Sequence, residues 1–213
     1  MYEQSGCFSC HSCSRRRFLA HCAACGGSAV GGALLSGQAA PAEQASGRPR
    51  VRLVFCETTN DKPIWPNIGY DFDARRNEII NRLTRECPNV EFLVAKVMDK
   101  PKDAAEVLHG DGEVQGYMVC LQGLGWRNDV DKLCSTGKPT LVVDNLFGGS
   151  GKFLTQMARI MSSGKPVDWV SSADDQDIVA SARHFALLGQ GKSAAEVAAA
   201  FRATRRKNTP ECD

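Results

Sequence analysis

The chain has 213 residues, 43% of them hydrophobic, and its 26 lysines and arginines against 24 aspartates and glutamates give a formal charge of +2. That length supports one ordinary domain with a sizeable core. The balanced charge argues against nucleic acid or an anionic membrane as main partner, since both demand a basic surface.

In chain order, Ser14-Arg15-Arg16-Arg17-Phe18-Leu19 comes first, ahead of a mildly apolar run that extends to Gly37. This arrangement resembles a twin-arginine translocation leader, the address of bacterial proteins exported already folded. The resemblance implies that Arg15 and Arg16 are the export signal, that the twin-arginine machinery is a partner, and that the protein works in the periplasm or otherwise outside the cytoplasm. The Ala- and Gly-rich run is a poor membrane span, because a stable one needs about 20 mainly apolar residues. Ala40-Pro41-Ala42 offers the small residues of a cleavage site before Glu43, and Gly37-Gln38-Ala39 is a second possibility. Residues 1–42 are therefore expected to be a signal segment. Cys7, Cys10, Cys13, Cys22 and Cys25 fall inside it at spacings that could suit a zinc site, but they flank the export motif and are expected to leave with it. Cys56, Cys87, Cys120, Cys134 and Cys212 form an odd set without the dense even spacing of a disulfide scaffold, and most read as core thiols.

Residues 43–50 read as a linker, 51–205 as the folded domain and 206–213 as a tail. Five short apolar runs are the predicted strands: Val51-Cys56, Val90-Ala95, Tyr117-Leu121, Thr140-Asp144 and Val167-Ser171. Between them lie predicted helices at 71–87, 102–109, 128–135 and 151–163. The first places Phe72, Ile79, Ile80, Leu83 and Cys87 on one face and stops at Pro88; the last has a stripe of Phe153, Leu154, Met157, Ile160 and Met161. Two more helices follow at 177–188 and 197–204, each announced by a capping-box pattern, Ser172 with Asp175 and Ser193 with Glu196. Strict strand–helix alternation implies parallel strands with right-handed crossovers. The expected fold is a three-layer α/β domain with an open parallel five-stranded sheet, flavodoxin-like or Rossmann-like, and an extra C-terminal helix.

Such sheets bind ligands beyond the carboxyl ends of their strands, which selects the candidate residues. Glu57, Asn60 and Trp65 follow the first strand, Gln122 and Trp126 the third, and Asp144 and Asn145 the fourth. Together they describe a polar, hydroxyl-binding crevice with aromatic walls. Glu57 and Asp144 form a possible carboxylate pair, as general base and as ligand for a divalent metal. Gly149-Ser150-Gly151-Lys152 at a helix start could expose backbone N–H groups to an anion. It departs from a nucleotide P-loop, having Leu146 and Phe153 where that motif needs Gly and Ser or Thr.

The order of Arg52-Leu53-Val54-Phe55, Gly116-Tyr117-Met118-Val119 with Gln122, and Pro139-Thr140-Leu141-Val142-Val143-Asp144-Asn145 resembles the amino-terminal domain of the L-fucose and L-arabinose isomerases. The resemblance implies an α/β domain that helps bind a sugar or polyol and build homo-oligomers, without the later domains that carry most metal-binding groups of those enzymes. The expectation is an exported carbohydrate-binding protein and not a complete isomerase. A metal-assisted isomerase or other polyol-processing enzyme, and a flavodoxin-like cofactor-binding protein, are the alternatives.

Overall fold

The computed structural model describes residues 47–58, 68–98, 101–123, 130–146, 148–161 and 163–209, all within the unit Glu43–Asp213. Arg15 and Arg16, and the cysteines around them, lie outside the described residues, as do Asn60, Trp65 and Trp126.

Five strands build the sheet: β1 (Arg50–Cys56), β2 (Glu91–Val97), β3 (Gly116–Leu121), β4 (Thr140–Asp144) and β5 (Val167–Ser171). Their order is β2-β1-β3-β4-β5 and every pairing is parallel. This is the flavodoxin-like arrangement, with the reversal of strand order between β1 and β3. The helices are α1 (Phe72–Glu86), α2 (Pro101–His109), α3 (Val130–Leu133), α4 (Ser150–Met161), α5 (Asp175–Ala182) and the C-terminal α6 (Ala194–Asn208).

The two-residue alternation of the strands divides the core between two faces. Leu53, Phe55, Met118, Cys120, Leu141 and Val143 pack with Ile79 and Leu83 of α1, Ile178 and Ala182 of α5, and Val197 and Phe201 of α6. Their neighbours Val54, Cys56, Val119, Leu121 and Val142 face Ala104 and Val107 of α2, Leu133 of α3, and Phe153, Met157 and Ile160 of α4. The sheet is thus the middle of three layers, and its strands read as continuous apolar runs because both sides are covered.

Local signals set the helix ends. Asp71 caps α1 by accepting from the Ala74 N–H at 2.9 Å, and Ser193 and Glu196 form the expected capping box of α6. The other expected box is not formed. Asp174 caps α5 through the Gln176 N–H, while the Ser172 hydroxyl donates to Asp177 at 2.5 Å. The chain beyond α5 tightens into a 3-10 helix, Arg183–Gln190, in place of one continuous α-helix. In α4, Leu154 and Met161 are 68% and 49% exposed, so the buried stripe is narrower than the apolar sequence allows.

His184 of the 3-10 segment stands 2.7 Å from the Thr204 hydroxyl of α6, and burial lowers its pKa from the ordinary 6.5. The unfolded chain therefore takes up this proton more readily than the folded one. The contribution of His184 to stability is complete above about pH 6.5 and is lost as pH falls towards the lowered folded value. Urea unfolding between pH 7.5 and pH 5 should show this loss, and His184→Phe should flatten that part of the curve.

Candidate functional site

At the reversal between β1 and β3 the backbone closes tightly. The Gln122 and Gly123 N–H groups both donate to the Cys56 carbonyl, at 2.9 and 3.2 Å, and a Cβ on Gly123 would stand 3.0 Å from the Thr58 nitrogen. Among the described residues, two of the cavities at the carboxyl edge bear on the candidate residues.

The first, of about 280 Å³, has an apolar wall of Ile79, Cys120, Val143 and Ile178 and a polar one that includes Arg75, Asp144, Asn145 and Ser172. These four apolar residues belong to the core between the sheet and α1, α5 and α6, which places the cavity at the ends of β3 and β4 under α1 and α5. Arg75 is held there by Asp175 through two contacts of 2.6 and 2.9 Å. That pairing raises the Arg75 pKa and lowers that of Asp175, so both groups stay charged and tie α1 to α5. Burial pushes the Cys120 thiol far up, leaving it a neutral, unreactive part of the wall.

Asp144 is 4% exposed and accepts from the Ser150 and Ser171 hydroxyls at 2.9 and 2.8 Å. Asn145 donates its side-chain N–H to the Tyr70 hydroxyl at 3.1 Å. Both residues thus stand at the cavity, each oriented by a neighbouring hydroxyl. Gln122 is fully buried between Glu57 and Asn145 in the cross-strand row, and among the described residues neither end of its amide has a partner.

The second cavity, of about 340 Å³, is lined by Glu57, Tyr70, Asp73 and Lys96 among others. Glu57 is 1% exposed and receives Arg76 at 2.5 Å and Lys96 at 2.6 Å; Arg76 also bonds Asp73, whose carboxyl it holds below the usual range. Glu57 and Asp144 line different cavities, and both carboxylates are already engaged. Among the described residues, no three His, Cys, Asp or Glu side chains stand together as a metal site.

The glycine-rich turn is set by packing. Gly149 lies so close to β3 that a Cβ would fall 1.9 Å from the Leu121 carbonyl oxygen. Its own N–H donates to the Asn145 carbonyl at 3.0 Å. Ser150 is turned to Asp144, Gly151 is exposed, and Lys152 is buried at the start of α4.

Sequence reasoning passed over Arg75 and Ile178. Arg75 comes to the cavity only through the packing of α1 against α5, where Asp175 holds it. The strand order, three layers and carboxyl-edge cavity define a flavodoxin-like α/β domain. Comparison with protein-family models finds none that matches, and comparisons with curated proteins and with solved structures likewise give no match.

Proposed function

We propose that this is a flavodoxin-like small-molecule-binding domain whose ligand is a compact ring compound with an apolar body and a hydrogen-bonding edge. The observation that carries the reading is the 280 Å³ cavity at the carboxyl ends of β3 and β4, with an aliphatic wall on one side and Arg75, Asp144 and Asn145 on the other. Ligand pockets run from about 300 to 1,000 Å³, so the volume suits one small ring system and is tight for a flavin mononucleotide. A carbohydrate is served less well. Ser150, Ser171 and Tyr70 already occupy much of the hydrogen-bonding capacity of Asp144 and Asn145, and the facing wall is Ile79, Cys120, Val143 and Ile178.

Thermal-shift measurements on the full chain with uracil, adenine, flavin mononucleotide and a panel of hexoses test this. A ligand at 100 times its Kd stabilises by about 2.7 kcal/mol, a rise of roughly 5–11 °C for a domain of this size. A ring compound should produce it, and Ala173→Trp, at an exposed position on the lining of the cavity, should remove it. Stabilisation by hexoses alone would overturn the ring reading. No rise with any compound would overturn binding here.

A further inference from the structure

The outer strands of an open sheet carry N–H and C=O groups that no neighbouring strand receives, and folded proteins blunt such edges with inward-pointing charges, prolines, bulges or covering elements. β5 is blunted in this way. Its ladder with β4 begins with the Thr140 N–H on the Pro166 carbonyl, so alternation turns the N–H groups of Val167 and Trp169 outward. Both are taken within the chain: Val167 donates to the Lys165 carbonyl and Trp169 to the Asp168 carboxylate, at 2.8 Å each. Asp168 is itself a fully buried charge, held by Arg202 and Arg205 of α6.

β2, at the other end of the sheet, is left open. The Glu91 N–H donates to Pro49 and the Val97 carbonyl accepts from Glu57. Alternate residues from Glu91 to Val97 therefore spend their backbone groups on β1, and those of Phe92, Val94 and Lys96 point outward. Among the described residues nothing receives them. The strand has no proline, and its register with β1 runs unbroken over all 7 residues, without a bulge. Its lysine does not guard the edge as an unmatched charge, because Lys96 is turned back on Glu57 at 2.6 Å. The middle of the strand is apolar: Val94 is 46% exposed, and Phe92, Leu93 and Ala95 are only partly buried against the two cores.

We infer that a second copy of this chain completes this edge, with two β2 strands pairing antiparallel about a two-fold axis at Val94 and joining two five-stranded sheets into one. The strand is complementary to itself in this register. All of its residues overlap, Val94 faces its own copy, and Phe92 faces Lys96 of the second copy. The outward groups of Phe92, Val94 and Lys96 then meet one another as hydrogen-bonded pairs, and the aliphatic stem of Lys96 lies against the Phe92 ring. Registers centred on Lys96 or on Glu91 would set like charges face to face and are disfavoured. A patch that matches itself about a two-fold axis is what an isologous dimer requires.

Sedimentation of the full chain over a concentration series, with amide hydrogen exchange at the same concentrations, tests this. The chain should dimerise, and the Val94 amide should gain protection as it does so. Val94→Lys, at an exposed position, sets a charge against its own copy and should raise the dimer dissociation constant about tenfold or more. On mild oxidation, Val94→Cys should give a dimer linked through position 94, because Cα atoms paired directly in this register stand about 5.5 Å apart. Glu91→Cys, about 20 Å from its counterpart, should not link. A chain that stays monomeric at every concentration overturns the inference; protection of its Val94 amide would then mean that another segment of the same chain covers the edge. A dimer whose Val94 amide exchanges as fast as in the monomer, or in which Glu91→Cys links as readily as Val94→Cys, uses another face and overturns it as well. The wild-type exchange decides the matter even if no variant folds.

Discussion

Gly149→Ala should lower the melting temperature by roughly 6–12 °C, corresponding to about 3 kcal/mol in a domain of this size. The added methyl would stand 1.9 Å from the Leu121 oxygen and 2.7 Å from its carbonyl carbon, and backbone in the middle of a parallel sheet has little room to move. The damage should spread. The same Leu121 oxygen accepts from the Asn145 N–H at 3.2 Å, Asn145 accepts from Gly149, and Gly149 accepts from Phe153 in the first turn of α4 at 2.9 Å. Pushing Gly149 outward therefore strains the end of β4, the start of α4 and the Ser150–Asp144 bond together. Gly112→Ala is the control, because a Cβ there meets no atom within 4 Å, and its effect should stay within about 0.5 kcal/mol. Calorimetry on the two variants checks the account; equal melting temperatures would refute it. An anion-binding role for the turn predicts instead a change in anion affinity with stability unchanged.

The contrast at Gly149 shows where sequence reasoning reaches its limit. Strand–helix alternation exposed the layers, because continuous runs such as Val51-Cys56 and Thr140-Asp144 can be satisfied only by a sheet covered on both faces. The edge carrying Gln122, Asp144 and Asn145 followed from that topology. What the alternation does not contain is which elements come into contact. A glycine before a helix looks the same whether it serves an anion or a carbonyl of another strand. Leu154 and Met161 form an apolar stripe offset by one residue from Phe153 and Ile160, and only the fit of α4 on the sheet decides which stripe is buried. Arg75 and Asp175 are 100 residues apart in the chain and meet beside the cavity, a pairing that no local pattern encodes.

Glu57→Ala should be the other severe substitution, costing about 3 kcal/mol. Removing one member of a buried ion pair costs about 3–5 kcal/mol, because its partners are left desolvated and unpaired; the lower end applies here because Lys96 keeps 42% of its exposure. Among the described residues, Arg76 and Lys96 would then share only Asp73, which is 71% exposed, as an acidic partner. Their repulsion is partly screened by salt, so unfolding in 1 M sodium chloride should recover part of the loss. Glu57→Gln, which keeps an acceptor but no charge, should fall between the variant and wild type. These results would identify Glu57 as the hub that fixes α1 and β2 to the end of β1, where sequence reasoning had placed a general base. A general base needs a free lone pair aimed at a substrate proton, and this carboxylate is committed to two cations at 2.5 and 2.6 Å. A Glu57→Ala protein as stable as wild type at both salt concentrations would refute the hub and return this carboxylate to the candidates for chemistry.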